Sequence, residues 1–172
     1  QEATFGGGTS GNAGTVILNG NVVPTRLAFS PPTAGNYTID LASFNLTTAN
    51  STDAVEVIGG TSATIKATGG GRLITPYSGS AWNFTLAGSL VIDAPVTGPG
   101  SIFVAGAGNL NLTHPANAFT GIFGKQYGGD LAFSSIAASG AFSIGCWAAI
   151  RTRSARPIEA WRRRVASEGQ VA

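Results

Sequence analysis

The chain has 172 residues, 43% hydrophobic and only 10% charged, with 25 glycines, a single cysteine and no methionine. That length suits one domain with a continuous core, and recurring Leu, Ile, Val and Phe exclude a disordered chain. The formal charge of +2 is uneven: residues 1–145 carry four Lys or Arg against six Asp or Glu (−2), and residues 146–172 carry six Arg against two Glu (+4), which excludes a body-wide nucleic-acid surface.

Strand-like segments begin at 14–20 and 26–30, separated by Pro24. Pro31-Pro32 and Gly35 force a turn before Tyr37–Leu41, where apolar and polar residues alternate with period two. Phe44–Thr47, Ala54–Ile58, Ala63–Ala67 and Arg72–Thr75 follow, then Ala81–Leu86, Ser89–Asp93, Ser101–Val104, Asn109–Leu112, Phe119–Phe123, Asp130–Phe133 and Ala141–Ile144. Two-residue hairpin signals are nearly missing, Asn19-Gly20 being the exception. Short strands at roughly eight- to twelve-residue intervals, cornered by Gly or Pro, permit a sandwich, a barrel or a solenoid. The expected fold is an all-β, right-handed parallel β-helix of roughly five or six coils of about 22 to 28 residues over 1–145, with a β-sandwich as the alternative.

Candidate chemistry is sparse. His114 is the sole histidine, so no His-based triad or multi-histidine metal site can form, and it reads as a solvent-exposed corner residue. Cys146 can form no internal disulfide and reads as a buried, inert thiol beside Trp147. The glycine runs 6–8 and 69–71 lack the Lys-Ser/Thr continuation of a phosphate loop and read as corners. No apolar run reaches the roughly 18 residues of a membrane span. Asp40, Asp53, Glu56, Asp93 and Asp130 fall about one per coil with no D-x-D pair; they either solvate and cap turns or, with even coil spacing, stack into a column. Tyr77, Trp82, Phe123 and Tyr127 lie near corners, where sugar stacking competes with packing. Asn-x-Ser/Thr sites occur at Asn36, Asn45, Asn50, Asn83 and Asn111, as chance allows in a chain rich in Asn and Thr.

Gly106-Ala-Gly108, Leu110-Asn-Leu112, Asn117-Ala-Phe119-Thr120-Gly121 and Gly128-Gly129-Asp-Leu131 resemble the autotransporter-associated β-strand repeat, which runs G-x-G-x-L-x-L, N-x-[YF]-[ST]-G, G-G-x-L. Residues 94–102 are similar to the lead-in of such repeats, and 14–18, 27–29 and 35–39 resemble early coils of the same large surface proteins. His114-Pro115 and Ile122-Phe123 depart from the pattern. The resemblance implies a secreted or extracytoplasmic β-helical passenger of the bacterial envelope, adhesive or structural. A chain without Met that starts at Gln1 fits either a mature end after signal cleavage or a boundary cut from a longer chain.

After Gly145 the composition changes, and the expected division is a solenoid over 1–145 with an Arg-rich tail over 146–172. Ser154–Ser167 reads as a short amphipathic helix, capped by Ser154 and with Pro157 in its first turn. It suits a cap on the open coil end, a partner or anionic-membrane contact through Arg151, Arg153, Arg156, Trp161, Arg162, Arg163 and Arg164, or an out-of-frame appendage. No catalytic, cofactor-binding or metal-ligating residues are expected, and no transmembrane segment or nucleic-acid partner. The leading expectation is a non-enzymatic structural or adhesive module contacting surface glycans, other copies or envelope proteins. The second is a subunit of an envelope complex or filament docking through coil ends or the basic tail. A polysaccharide-active β-helix enzyme is the third.

Overall fold

Period-two alternation gives each strand one face to bury, and strands of a few residues cannot bury it alone. A computed structural model describes residues 1–6, 11–49, 53–125, 130–133, 142–144 and 149–152. Among these residues every regular element is a strand. The first coil holds β1 (Ala3–Phe5) and β2 (Thr15–Ile17), and the second holds β3 (Leu27–Phe29), β4 (Tyr37–Asp40) and β5 (Asn45–Leu46). The third contains β6 (Val55–Val57), β7 (Ser62–Lys66) and β8 (Arg72–Ile74), and the fourth β9 (Ala81–Leu86), β10 (Ser89–Asp93) and β11 (Val96–Gly98). The fifth contains β12 (Ser101–Ala105), β13 (Asn109–Leu112) and β14 (Ala118–Phe119). Beyond it lie β15 (Phe123–Lys125), β16 (Asp130–Phe133), β17 (Phe142–Ile144) and β18 (Ala149–Thr152).

The strands stack into three sheets, one per side of the coil. Side one runs β1-β3-β6-β9-β12-β15-β17, side two β2-β4-β7-β10-β13-β16-β18, and side three β5-β8-β11-β14. A parallel bridge between Val22 and Leu46 extends side three into the first coil. The whole is a right-handed parallel β-solenoid of about five turns, as the sequence led one to expect. Parallel pairing throughout removes the sandwich alternative, which needs antiparallel sheets.

Register turns sequence alternation into columns. Ile39, Ile65, Ile92 and Leu112 pair in succession on side two and none is more than 1% exposed. Leu27, Val55, Phe84 and Val104 pair in succession on side one, and Leu46, Leu73 and Val96 on side three, none more than 2% exposed. Burying each such side chain stabilises the fold by roughly 1.5–3 kcal/mol.

One local reading is corrected, and two strands are added to those expected. Val96–Gly98, flanked by Pro95 and Pro99, is a strand: Pro95 has no N–H to donate, but its carbonyl accepts from the Leu73 amide at 2.9 Å. The continuous strand expected from Phe119 to Phe123 is broken at Gly121 into β14 and β15 on different sides. Ala149–Thr152, read as part of the tail, pairs in parallel with β16. The helix expected over Ser154–Ser167 lies outside the described residues, as do Arg153, Arg156, Trp161 and Arg162–Arg164.

Candidate functional site

The repeat-like stretch is the natural place to look first, and its described residues are taken up by corner and core. Gly106 adopts φ 96°, and a Cβ added there would stand 2.2 Å from the Leu86 carbonyl oxygen of the coil below. At Gly121 the same atom would stand 2.2 Å from the Gly100 carbonyl oxygen. Leu110, Leu112 and Phe119 are core residues, with the Phe119 and Phe123 rings 6.0 Å apart. Asn117 is fully buried, and its Oδ1 accepts from the Val96 amide at 3.0 Å while its Nδ2 donates to the His114 carbonyl at 2.7 Å. The motif asparagine is thus the internal clamp of a corner, joining adjacent coils. His114 is half-buried rather than solvent-exposed, because its Nδ1 accepts from the Ala116 amide at 3.1 Å and folds the ring onto that corner.

The acidic residues occupy separate structural posts. Asp40 is buried: its Oδ1 accepts from the Ala42 amide at 2.9 Å and the Thr68 amide at 3.1 Å, and the Thr68 hydroxyl donates to both carboxylate oxygens. The Ala42 amide, aided by the Thr68 donors and Lys66, holds Asp40 below the usual 3.8 against the opposing effect of burial. This clamp supports Ala42 at φ 49°, over which Gly69 and Gly71 direct their amides to the Ala42 carbonyl. The glycine run is a corner, as its sequence suggested.

Lys66 sits in register between Asp40 and Asp93, at 3.8 Å from Asp40, while Asp93 accepts from the Thr113 hydroxyl at 2.8 Å. Two of the acids therefore share a column. Asp53 accepts from Thr85 at a corner, and Glu56 pairs with Arg26 on side one, where Arg26 also lies 3.7 Å from Glu2. Asp130 stands in a different column of side two, one strand on from Asn109. Among the described residues no group of three or more His, Cys, Asp or Glu has the spacing of a metal site. No described helix is long and apolar enough to cross a membrane.

Of the corner aromatics, Tyr77 is 77% exposed, whereas Trp82 and Phe123 are core residues, because their strand positions alternate inward. Tyr127 and Cys146 lie outside the described residues. The basic residues named for partner contact are not brought together by described structure; Arg151 alone falls in a strand, β18. Three apolar side chains of the first coil also escaped the sequence reading: Val16, Ile17 and Val23 are 42%, 67% and 60% exposed. Val16 occupies the inward column of Ile39, and among the described residues no strand covers it on its other side, which no single-strand pattern signals.

Side two presents columns of outward polar residues. Thr15, Thr38 and Thr64 form one outward column, and Ser62, Ser89 and Asn109 another, at the interstrand spacing of about 4.8 Å. Comparison with known proteins found no match to this chain among family profiles, curated proteins or solved structures.

Proposed function

We propose that this chain is a non-enzymatic structural or adhesive β-solenoid module of an extracytoplasmic surface, resembling the passenger of a bacterial autotransporter. One observation carries the reading: in the stretch most like the repeat, Gly106, Leu110, Leu112, Asn117, Phe119 and Gly121 all serve corners and core. Recognition then falls to the outward columns of side two, whose Thr, Ser and Asn side chains offer many weak, repeated hydrogen bonds of the sort that hold hydrated glycans. Asp40 is occupied by four hydrogen bonds, which leaves the acid column without a free facing pair.

The test combines capture and cleavage. Beads carrying the intact chain are mixed with polysaccharides, including polygalacturonate as the acidic probe, and both retention and new chain ends are measured. Retention that Thr38→Val with Thr64→Val weakens, without new chain ends, supports the module. Steady release of chain ends, lost in Asp93→Ala, replaces it with the enzyme reading.

A second reading, a subunit of a larger envelope assembly, is favoured by the first coil, where Val16, Ile17 and Val23 are exposed. Sedimentation equilibrium decides it: concentration-dependent association abolished by Ile17→Lys supports docking through this coil, and a monomer at all concentrations discards it.

A further inference from the structure

We propose that Asn19-Gly20 is a self-modification site, at which the Asn19 side chain deamidates and weakens the first coil. It is the one Asn-Gly pair in the chain. Asn19 is exposed in a bend after β2. Among the described residues the Gly20 amide has no hydrogen-bond partner, and the space where a Cβ would sit is open to 4 Å. The nucleophile is therefore unengaged and uncrowded. Asn45, Asn83, Asn109 and Asn111 differ on this point, since each is followed by a residue inside a paired strand.

The Gly20 nitrogen attacks Asn19 Cγ, so that an N–Cγ bond forms, the Cγ–Nδ2 bond breaks and ammonia departs with the amide proton. Water then opens the resulting succinimide at either carbonyl, giving aspartate or isoaspartate; no oxidant or reductant is involved. Isoaspartate routes the backbone through one additional carbon. Immediately downstream, Asn21 Oδ1 accepts from the Asn45 amide at 2.8 Å and the Val22 amide donates to the Asn45 carbonyl at 3.0 Å. These bonds tie the first coil to side three, and lengthening the bend beside them pulls both out of register.

The intact protein is incubated at mildly alkaline pH and its peptides are followed by mass spectrometry. Amide-to-acid conversion is expected several-fold faster at Asn19 than at Asn45, Asn83, Asn109 or Asn111, with isoaspartate among the products. Limited proteolysis between residues 18 and 26 is expected to quicken in step. Gly20→Ala, for which the fold has room, is expected to reduce conversion at 19 to the level of the strand asparagines. Unfolding in urea is expected to accelerate the strand sites and leave Asn19 nearly unchanged. Conversion at Asn19 no faster than in the strands, or a large acceleration there on unfolding, overturns the proposal.

Discussion

The early and late coils reach the same three-sided cross-section by different means. On side one the spacing between paired positions is 24 residues from Ala3 to Leu27, 28 from Leu27 to Val55 and 29 from Val55 to Phe84. It falls to 20 from Phe84 to Val104 and 21 from Val104 to Lys125. The sides do not lengthen to absorb the early excess; β3, β5 and β6 are shorter than β9, β10 and β12. The additional residues lie in corners held by side chains, such as the Asp40 clamp and the Asn21 contact to the Asn45 amide. Late corners are shorter: at Gly106 and Gly121 backbone stacks on backbone as it does at early Gly71, and Asn117 clamps one of them through its side chain. Corner length is thus adjustable, whereas the inward columns are not.

That contrast can be broken at graded cost. Phe119→Ala, emptying a fully buried position between late coils, is expected to lower stability by about 3–5 kcal/mol in chemical denaturation. Gly121→Val drives a side chain into the Gly100 carbonyl and is expected to cost about 3 kcal/mol, read as a fall in melting temperature. Asn117→Ala leaves the Val96 amide unpaired inside the core, a loss of about 1–3 kcal/mol, with faster hydrogen exchange at that amide.

Asp40→Asn separates the two halves by pH. Asp40 titrates below 3.8 in the fold, so its clamp acts in full above 3.8 and fades as pH drops through the lower folded value. Wild type is therefore expected to exceed the variant in thermal stability at neutral pH and to converge with it in acid; parallel melting curves across the range would remove the clamp from the account. Gly14→Ala in the first coil, where nothing lies within 4 Å of the added atom, is expected to change stability by no more than about 0.5 kcal/mol.

Strand positions were readable wherever alternation ran for four residues or more, so β9, β10, β13 and β16 fall where the sequence put them. β11 was absent from the expected strands because two prolines flank a three-residue segment, although a strand needs only the Pro95 carbonyl there. The break at Gly121 was hidden because Phe119 and Phe123 are both buried, and burial alone does not tell one side of a solenoid from the next. Candidate site residues fared differently by type. Trp82 resembled a surface aromatic in composition, yet its inward phase in Ala81–Leu86 already fixed its burial. Asn45, Asn83 and Asn111 looked like chance sequons; each pairs an outward Asn and Thr around a buried Leu46, Phe84 or Leu112, which alternation on a strand produces unaided. The exposure of Val16 was unreadable because alternation places it in the inward column of Ile39.

The difference in coil length also bears on how the chain closes upon itself. Each coil is a loop drawn shut by its pairing with the coil before, and the entropy of that closure grows only with the logarithm of its length, about 0.6 kcal/mol per doubling. Going from 20 to 29 residues per coil is less than a doubling, so the longest coil is disfavoured against the shortest by under about 0.6 kcal/mol, well below what one buried Ile of the inward columns returns. The corner around Tyr77, Ser78 and Gly79 can accordingly accept a further segment of several residues, and with it a new shape on the surface, while Ile39, Ile65, Ile92 and Leu112 keep their places.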